Sequence, residues 1–316
     1  MVQQAAVRQA AVQQAAGERS RDEWAFIGVP SSAGAHHAGQ ELTPDALRAA
    51  GLLGRLAEAG VAVTDTGDLP GSVFAADYGH PRARNLDAVV GVAREVADAV
   101  AAQLAAGRRV LVAGGDCTIT LGVIAGFRRR DLDVGLAYVD GDADLGALDT
   151  SASGILDASG VAHLLGRGEP ALVGLGGPAP LLAPSRLALI GYDPREVSDA
   201  GRRFLADAGV SSGAAADLQA DPAAEAARAL AALDGAAGPL VVHFDVDVVD
   251  SADLPLGNFP HYGSGPALDQ AAACVRALVQ HPACAGLILT EVNPTYDPAG
   301  GQLARYVSAL VDILRG

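Results

Sequence analysis

The apolar run GLAYVDGDADL (135–145) closes on three aspartates spaced two apart, Asp140, Asp142 and Asp144. A second run, PLVVHFDVD (239–247), closes on Asp245 and Asp247, with Asp250 beyond. In an extended backbone alternate side chains share one face, so the members of each set converge. Five carboxylates held close together cannot all stay ionised without a counter-charge. A divalent ion is the natural one, and an oxygen-rich donor set suits Mn, Mg or Ca. Two ions bridged by carboxylates, about 3.5–4 Å apart, are the fuller version of such a site. A lone Asp in this position ordinarily caps a turn or a helix start.

The elements that must position these groups alternate along the chain. Strand-like runs lie at 24–29, 61–67, 108–116, 134–140, 186–193, 239–247 and 285–292. Most are continuously apolar, the pattern of strands covered on both faces. Helix-like segments fall at 44–59, 85–106, 119–129, 196–208, 222–234, 267–280 and 301–315, the first opening at Pro44 after Thr43 as its cap. The class is α/β, three-layer α/β/α, with a mostly parallel sheet. In such sheets ligands bind beyond the carboxyl ends of the strands. The run at 108–116 leads to Asp116 and Cys117, and the run at 285–292 leads to Glu291 and Asn293.

Composition narrows the partners. The 316 residues carry a net charge of -15 and no Lys. Such a charge repels nucleic acid and anionic membrane surfaces, so no nucleic-acid or membrane partner is expected, and a small cation or a metal ion fits better. Cys117, Cys274 and Cys284 are odd in number and irregularly spaced, which points to a reducing, cytoplasmic compartment rather than a disulfide framework. Residues 1–22, rich in Ala and Gln, read as a disordered or frayed helical leader without a signal-peptide core, and 23–316 as one domain. The Gly/Pro-rich stretch 166–185 reads as a surface loop.

From about Trp24 onward the chain resembles the ureohydrolase family, which includes arginase and agmatinase. FIGVPSSAGAHHAGQELTPDALR (26–48) resembles the family's first strand and loop, and GGDCTITLG (114–122) its GGDHS-type motif. VDGDADL (139–145) resembles DAHxD, and HFDVDVVD (243–250) resembles SxDxDxxDP. Ser153–Gly154 falls where the family has a substrate-loop serine, and EVNP (291–294) is shared outright. The resemblance implies an α/β/α fold and a binuclear manganese centre. It implies hydrolysis of a guanidinium carbon–nitrogen bond by metal-activated water, releasing urea and an amine. By position, one Mn2+ would take Cys117, Asp140, Asp144 and Asp245, and the other Asp140, Asp142, Asp245 and Asp247. Glu291 would hold the guanidinium, and Asp144 would also orient the nucleophile. A homo-oligomer, trimer or hexamer, is implied as well.

The departures bear on the chemistry. Cys117 and Asp142 stand where the family has histidine ligands, Asp157 near its proton-transfer histidine, Ile155 at a substrate-contacting asparagine, and Ser251 at a proline. A thiolate and five carboxylates put more negative charge on two divalent ions than they neutralise, which lowers their Lewis acidity. Either Cys117 stays a neutral thiol and Asp142 holds a proton, or only one ion binds well, or a thiophilic metal such as Zn competes at the first position. Cys117 is also read as a nucleophile with His243 as its base, or as an inert thiol. His36 and His37 lie in the loop after the first strand, which the resemblance places beside the substrate pocket, though two adjacent loop histidines are more often plain surface; His261 in NFPHYGSG is a candidate general acid or base. The expected activity is metal-dependent hydrolysis of a linear C–N bond in a guanidino or amidino compound, with Asp144, Glu291, Asp157 and His261 at the reacting centre. The other reading is a non-catalytic relative that binds a metal or a cationic metabolite.

Overall fold

Among the described residues, 23–146, 153–233 and 238–316 of a computed structural model, eight strands form one sheet. They are β1 (Trp24–Gly28), β2 (Val63–Asp68), β3 (Arg109–Ala113), β4 (Gly135–Val139), β5 (Leu187–Tyr192), β6 (Ser211–Ala214), β7 (Leu240–Asp245) and β8 (Cys284–Thr290). The order is β2-β1-β3-β8-β7-β4-β5-β6 and each pairing is parallel. The expected leader at 1–22 and the last residue of the helix expected over 222–234 lie outside the described residues.

The helices are α1 (Thr43–Ala49), α2 (Leu52–Glu58), α3 (Leu86–Ala105), α4 (Ile119–Arg128), α5 (Gly160–Leu164), α6 (Pro170–Val173), α7 (Asp199–Ala208), α8 (Ala215–Ala220), α9 (Pro222–Leu233), α10 (Leu268–Val279) and α11 (Gly301–Leu314). Two apolar cores separate them into outer layers. One joins α1, α2 and α8 to α11 to the sheet through Leu47, Leu56, Phe244, Val275 and Leu310. The other joins α3 to α7 through Val96, Ile124, Tyr138, Leu164 and Leu205. Strands β1, β3, β4, β7 and β8 are covered on both faces, which is why their sequences are apolar without alternation.

Three local expectations come out differently, and one strand is new. The helix expected over 44–59 breaks into α1 and α2 at Gly51, whose φ of 81° ends the first helix. Thr43 does not cap α1; its hydroxyl donates to the Val292 carbonyl and ties the helix to the end of β8. Strand β6, SSGA, escapes the sequence because it is a short edge strand with no apolar run. The 166–185 stretch holds the short helix α6 within its loop.

Helix α4 follows Cys117 and carries Thr120, so its seat fixes both. It lies close against α3 because Gly122 and Gly126 face Ala93, Val96 and Val100; a Cβ on Gly122 would come 2.6 Å from the Ala93 carbonyl oxygen. Gly122→Ala is therefore expected to cost about 1–3 kcal/mol by forcing the helices apart. Urea unfolding checks this, and an unchanged midpoint would contradict the close packing.

A cavity of about 1390 Å³ lies at the amino ends of the strands, against Trp24, Arg109, Gly135, Leu240 and Cys284. No Asp or Glu among its described lining residues faces it, so the carboxylate chemistry belongs to the opposite end.

Candidate metal centre

Strands β3, β8, β7 and β4 are neighbours in that order, and their carboxyl ends carry Cys117, Glu291, Asp245 and Asp140. Register pairs Val139 with Phe244 and Asp245 with Thr290, so the ends stop level and the side chains beyond them meet.

Three carboxylates repeat one arrangement. Asp140 accepts the Asp142 N–H at 2.6 Å through Oδ1, while its Oδ2 lies 3.4 Å from His243 Nε2 and 3.8 Å from Cys117 Sγ. Asp245 accepts the Asp247 N–H at 2.8 Å through Oδ1, while Oδ2 takes hydrogens from Cys117 Sγ at 2.7 Å and Thr290 Oγ1 at 2.9 Å. Asp247 accepts the Gly141 N–H at 3.1 Å through Oδ1 and turns Oδ2 toward His261 Nε2 at 3.9 Å. One oxygen thus fixes backbone, the following turn for Asp140 and Asp245 and the end of β4 for Asp247, and the other faces inward.

The inward atoms form three groups of mutually close donors: Cys117, Asp140, His243 and Asp245; Asp142, Asp247 and His261; and Cys117, Asp157 and Glu291. His243 shares the face of Asp245, as alternation in β7 requires, and stacks on its cross-strand neighbour Tyr138 with ring centres 3.9 Å apart. Its Nδ1 pairs with Thr120 Oγ1 at 2.8 Å and its Nε2 faces Cys117 and Thr290 at 3.7 and 3.2 Å. Burial pushes His243 down to about 3, so the ring is neutral at ordinary pH. The sequence flagged His243 only as a base for Cys117; its place among these candidate donors was legible from its i, i-2 relation to Asp245.

Asp144 stands outside these groups. It accepts the Tyr138 hydroxyl at 2.5 Å and sits at φ 47°, a strained backbone for a non-glycine residue. Glu291 is likewise at φ 62°. It accepts from Gln40 Nε2 at 2.5 Å through Oε2, while the buried Oε1 has no hydrogen-bond partner. Asp157 accepts the Cys117 N–H at 2.7 Å. Asp116 is buried and structural, tying the Gly34 and Thr118 N–H groups at 2.9 and 3.1 Å. His36 and His37 are exposed at the rim, where His36 packs on Phe259 and His37 Nε2 lies 2.7 Å from Tyr296 Oη.

The orphaned buried acceptor on Glu291, together with converging carboxylates and the His261 nitrogen beside Asp142, fits a cation in this place. A sequence model of the arginase family matches residues 22–314. The chain belongs to the arginase family. An arginase of Agrobacterium fabrum is 31% identical over 307 residues, covering 92% of this chain and 90% of that one. An arginase of Bacillus caldovelox is 33% identical over 188 residues, a match that takes in 59% of this chain and only 62% of the relative's length. The crystal structure of the Bacillus caldovelox arginase superposes with a TM-score of 0.82 at 26% identity, over 93% of this chain and 98% of that one. Among the described residues no helix is long and apolar enough to cross a membrane.

As in other buried acidic clusters, the arginase-family centre has shifted acidities. Burial, then neighbouring carboxylates, raise Asp140, Asp157, Asp247 and Glu291 above the usual carboxylate range, and burial also raises Asp245 and Asp144. Burial and then Asp245 raise the Cys117 thiol. A carboxyl raised in the folded state leaves stability intact below the unfolded value of about 4 and erodes it as pH climbs toward the folded value. The metal-free protein is thus expected to melt at lower temperature at pH 8 than at pH 5.5. Metal ions need the deprotonated donors, so saturating manganese should reverse that slope. Melting curves with and without chelator check both signs.

Proposed function

We propose that the protein is a metal-dependent hydrolase of a linear C–N bond in a guanidino or amidino compound, releasing urea or the corresponding amide. The observation that carries this reading is the meeting of Cys117, Asp140, Asp245 and Glu291 at the level ends of four adjacent strands. Cys117, Asp140, Asp142, Asp245 and Asp247 would hold one or two divalent ions, Mn2+ first among them, with Asp144 beside them. When bound, such ions supply Lewis acidity and let water ionise near neutral pH.

The chain's own groups do the rest. The free Oε1 of Glu291 offers a buried carboxylate to a planar cation, a charge-assisted contact. His36, Phe259 and Tyr296 give the rim aromatic faces that favour the same charge. Asp144, held by Tyr138, takes a hydrogen of the attacking water and keeps it in line with the central carbon. As the C–N bond breaks, the leaving amine takes a proton from Asp157, whose carboxyl burial and then neighbouring carboxylates push above the usual range, favouring the protonated form beside Glu291.

The three buried free thiols suit a reducing cytoplasm. Resemblance alone supports an assembly of three or six copies, which light scattering reads directly. The test of function is urea release from a panel of guanidino compounds by manganese-loaded protein, abolished by chelator. Bound metal with no turnover of any guanidino or amidino compound would leave the binding-protein reading instead.

A further inference from the structure

We propose that the centre is built for two unlike ions. Cys117, His243, Asp140 and Asp245 form a sulfur–nitrogen position for a thiophilic ion of the zinc class, and Asp142, Asp247 and His261 form a harder position for a manganese-class ion. The proposal rests on the hydrolase reading for its setting, but its test reads metal identity rather than turnover.

The first position has a mixed donor set. Cys117 Sγ lies 3.7 Å from His243 Nε2, 2.7 Å from Asp245 Oδ2 and 3.8 Å from Asp140 Oδ2, and the residues are all buried. One sulfur, one imidazole nitrogen and carboxylate oxygens are donors that zinc accepts in a four-coordinate site and that manganese does not favour. Thr120 holds the other ring nitrogen of His243 at 2.8 Å, the outer contact that fixes a ligating imidazole. On binding, the Cys117 thiol gives its proton to solvent and its sulfur becomes the ligand.

The second position is marked by His261. The residue is 5% exposed, and its Nε2 meets no hydrogen-bond partner although Asp142 Oδ2 lies 3.3 Å away and Asp247 Oδ2 3.9 Å away. A buried imidazole nitrogen at ion-pair distance from one carboxylate oxygen and close to a second, without hydrogen-bond geometry to either, converges with them on a point where a cation can replace the shared proton. The room for this ring comes from Gly141. A Cβ there would lie 2.9 Å from His261 Cδ2, 3.0 Å from its Nε2 and 2.9 Å from the Asp247 carbonyl oxygen. The glycine is not at positive φ, so the space rather than the backbone requires it. In this arrangement His261 is a ligand rather than the acid or base its loop suggested. Asp144 drops out of the set, so a thiolate and four carboxylates face two divalent ions and the charge excess shrinks.

The experiment loads metal-free, full-length protein with equimolar zinc and manganese in excess, removes free ions and counts both per chain by elemental analysis. One zinc and one manganese are expected. Cobalt loading should give a thiolate-to-cobalt charge-transfer band that Cys117→Ser removes. His243→Asn should lose the zinc and keep the manganese; Gly141→Ala and His261→Asn should lose the manganese and keep the zinc and the cobalt band. Two manganese ions per chain, two zinc ions, or no charge-transfer band in wild-type protein overturns the proposal. Wild-type counts and spectra decide it even where a variant fails to fold. Two like ions with urea release would sink this inference and leave the hydrolase reading standing. Unlike ions without urea release would do the reverse, and a protein that takes up no metal loses both.

Discussion

Replacing Asp245 by Asn is expected to abolish metal uptake and hydrolysis together, with kcat/KM falling at least about a thousandfold, or ~4 kcal/mol of transition-state stabilisation. Asp245 is the hub of the centre. Its Oδ1 holds the turn to Asp247, and its Oδ2 is shared by Cys117 and Thr290. An amide keeps the turn through its oxygen but removes the charge that offsets a cation. The metal-free protein tells loss of ligation from loss of fold. Asp245 is fully buried and burial raises its pKa, so Asn relieves a crowded site and the metal-free melting temperature should hold or rise. The stabilisation that wild-type protein gains from added metal should disappear. Retained urea release with intact metal content would sink the assignment of Asp245 as a ligand.

The second large effect concerns Cys117. Its alignment with the histidine of the GGDHS-type motif suggests that restoring His would raise manganese occupancy. The packing predicts the opposite for the single change. Cys117 is 3% exposed and His243 fully buried, with Nε2 3.7 Å from Sγ, so a second imidazole has no room. Cys117→His is expected to cost about 1–3 kcal/mol by overpacking. His243→Ser alone should lose a donor and leave a gap against Tyr138. The double variant should recover most of the loss, a coupling of roughly 1–3 kcal/mol. Urea unfolding of the four proteins and their manganese content give the cycle; strictly additive effects would contradict a shared space.

How far the primary structure reaches is visible in particular residues. Asp140, Asp142, Asp245 and Asp247 were legible as candidate donors because apolar runs end at them, but the backbone turns there instead of staying extended, Val246–Val248 forming a 3-10 turn, so Asp142 and Asp247 face a different group from Asp140 and Asp245 and Asp144 falls outside both. The parallel α/β class was legible because most buried strands read as continuous apolar runs, and all seven strand-like runs lie among the sheet's eight strands as β1, β2, β3, β4, β5, β7 and β8. Edge strand β6 was not, since an edge of four small residues has no apolar signal. The break at Gly51 was not, since a lone glycine inside a helical pattern is compatible with continuing.

What the sequence by itself determined is the kind of chemistry: which donors stand at strand ends, and that their charge calls for a cation. The tertiary structure alone decided which donors share an ion. The order β3-β8-β7-β4 brings Cys117 to Asp245 and Glu291 across more than a hundred residues of chain. The loop at 257–263 swings His261 into the space that Gly141 leaves open. Such pairings depend on strand order and on one missing Cβ, and neither leaves a periodic mark along a chain. Local sequence spacing therefore names the ligands' types, and packing chooses their partners.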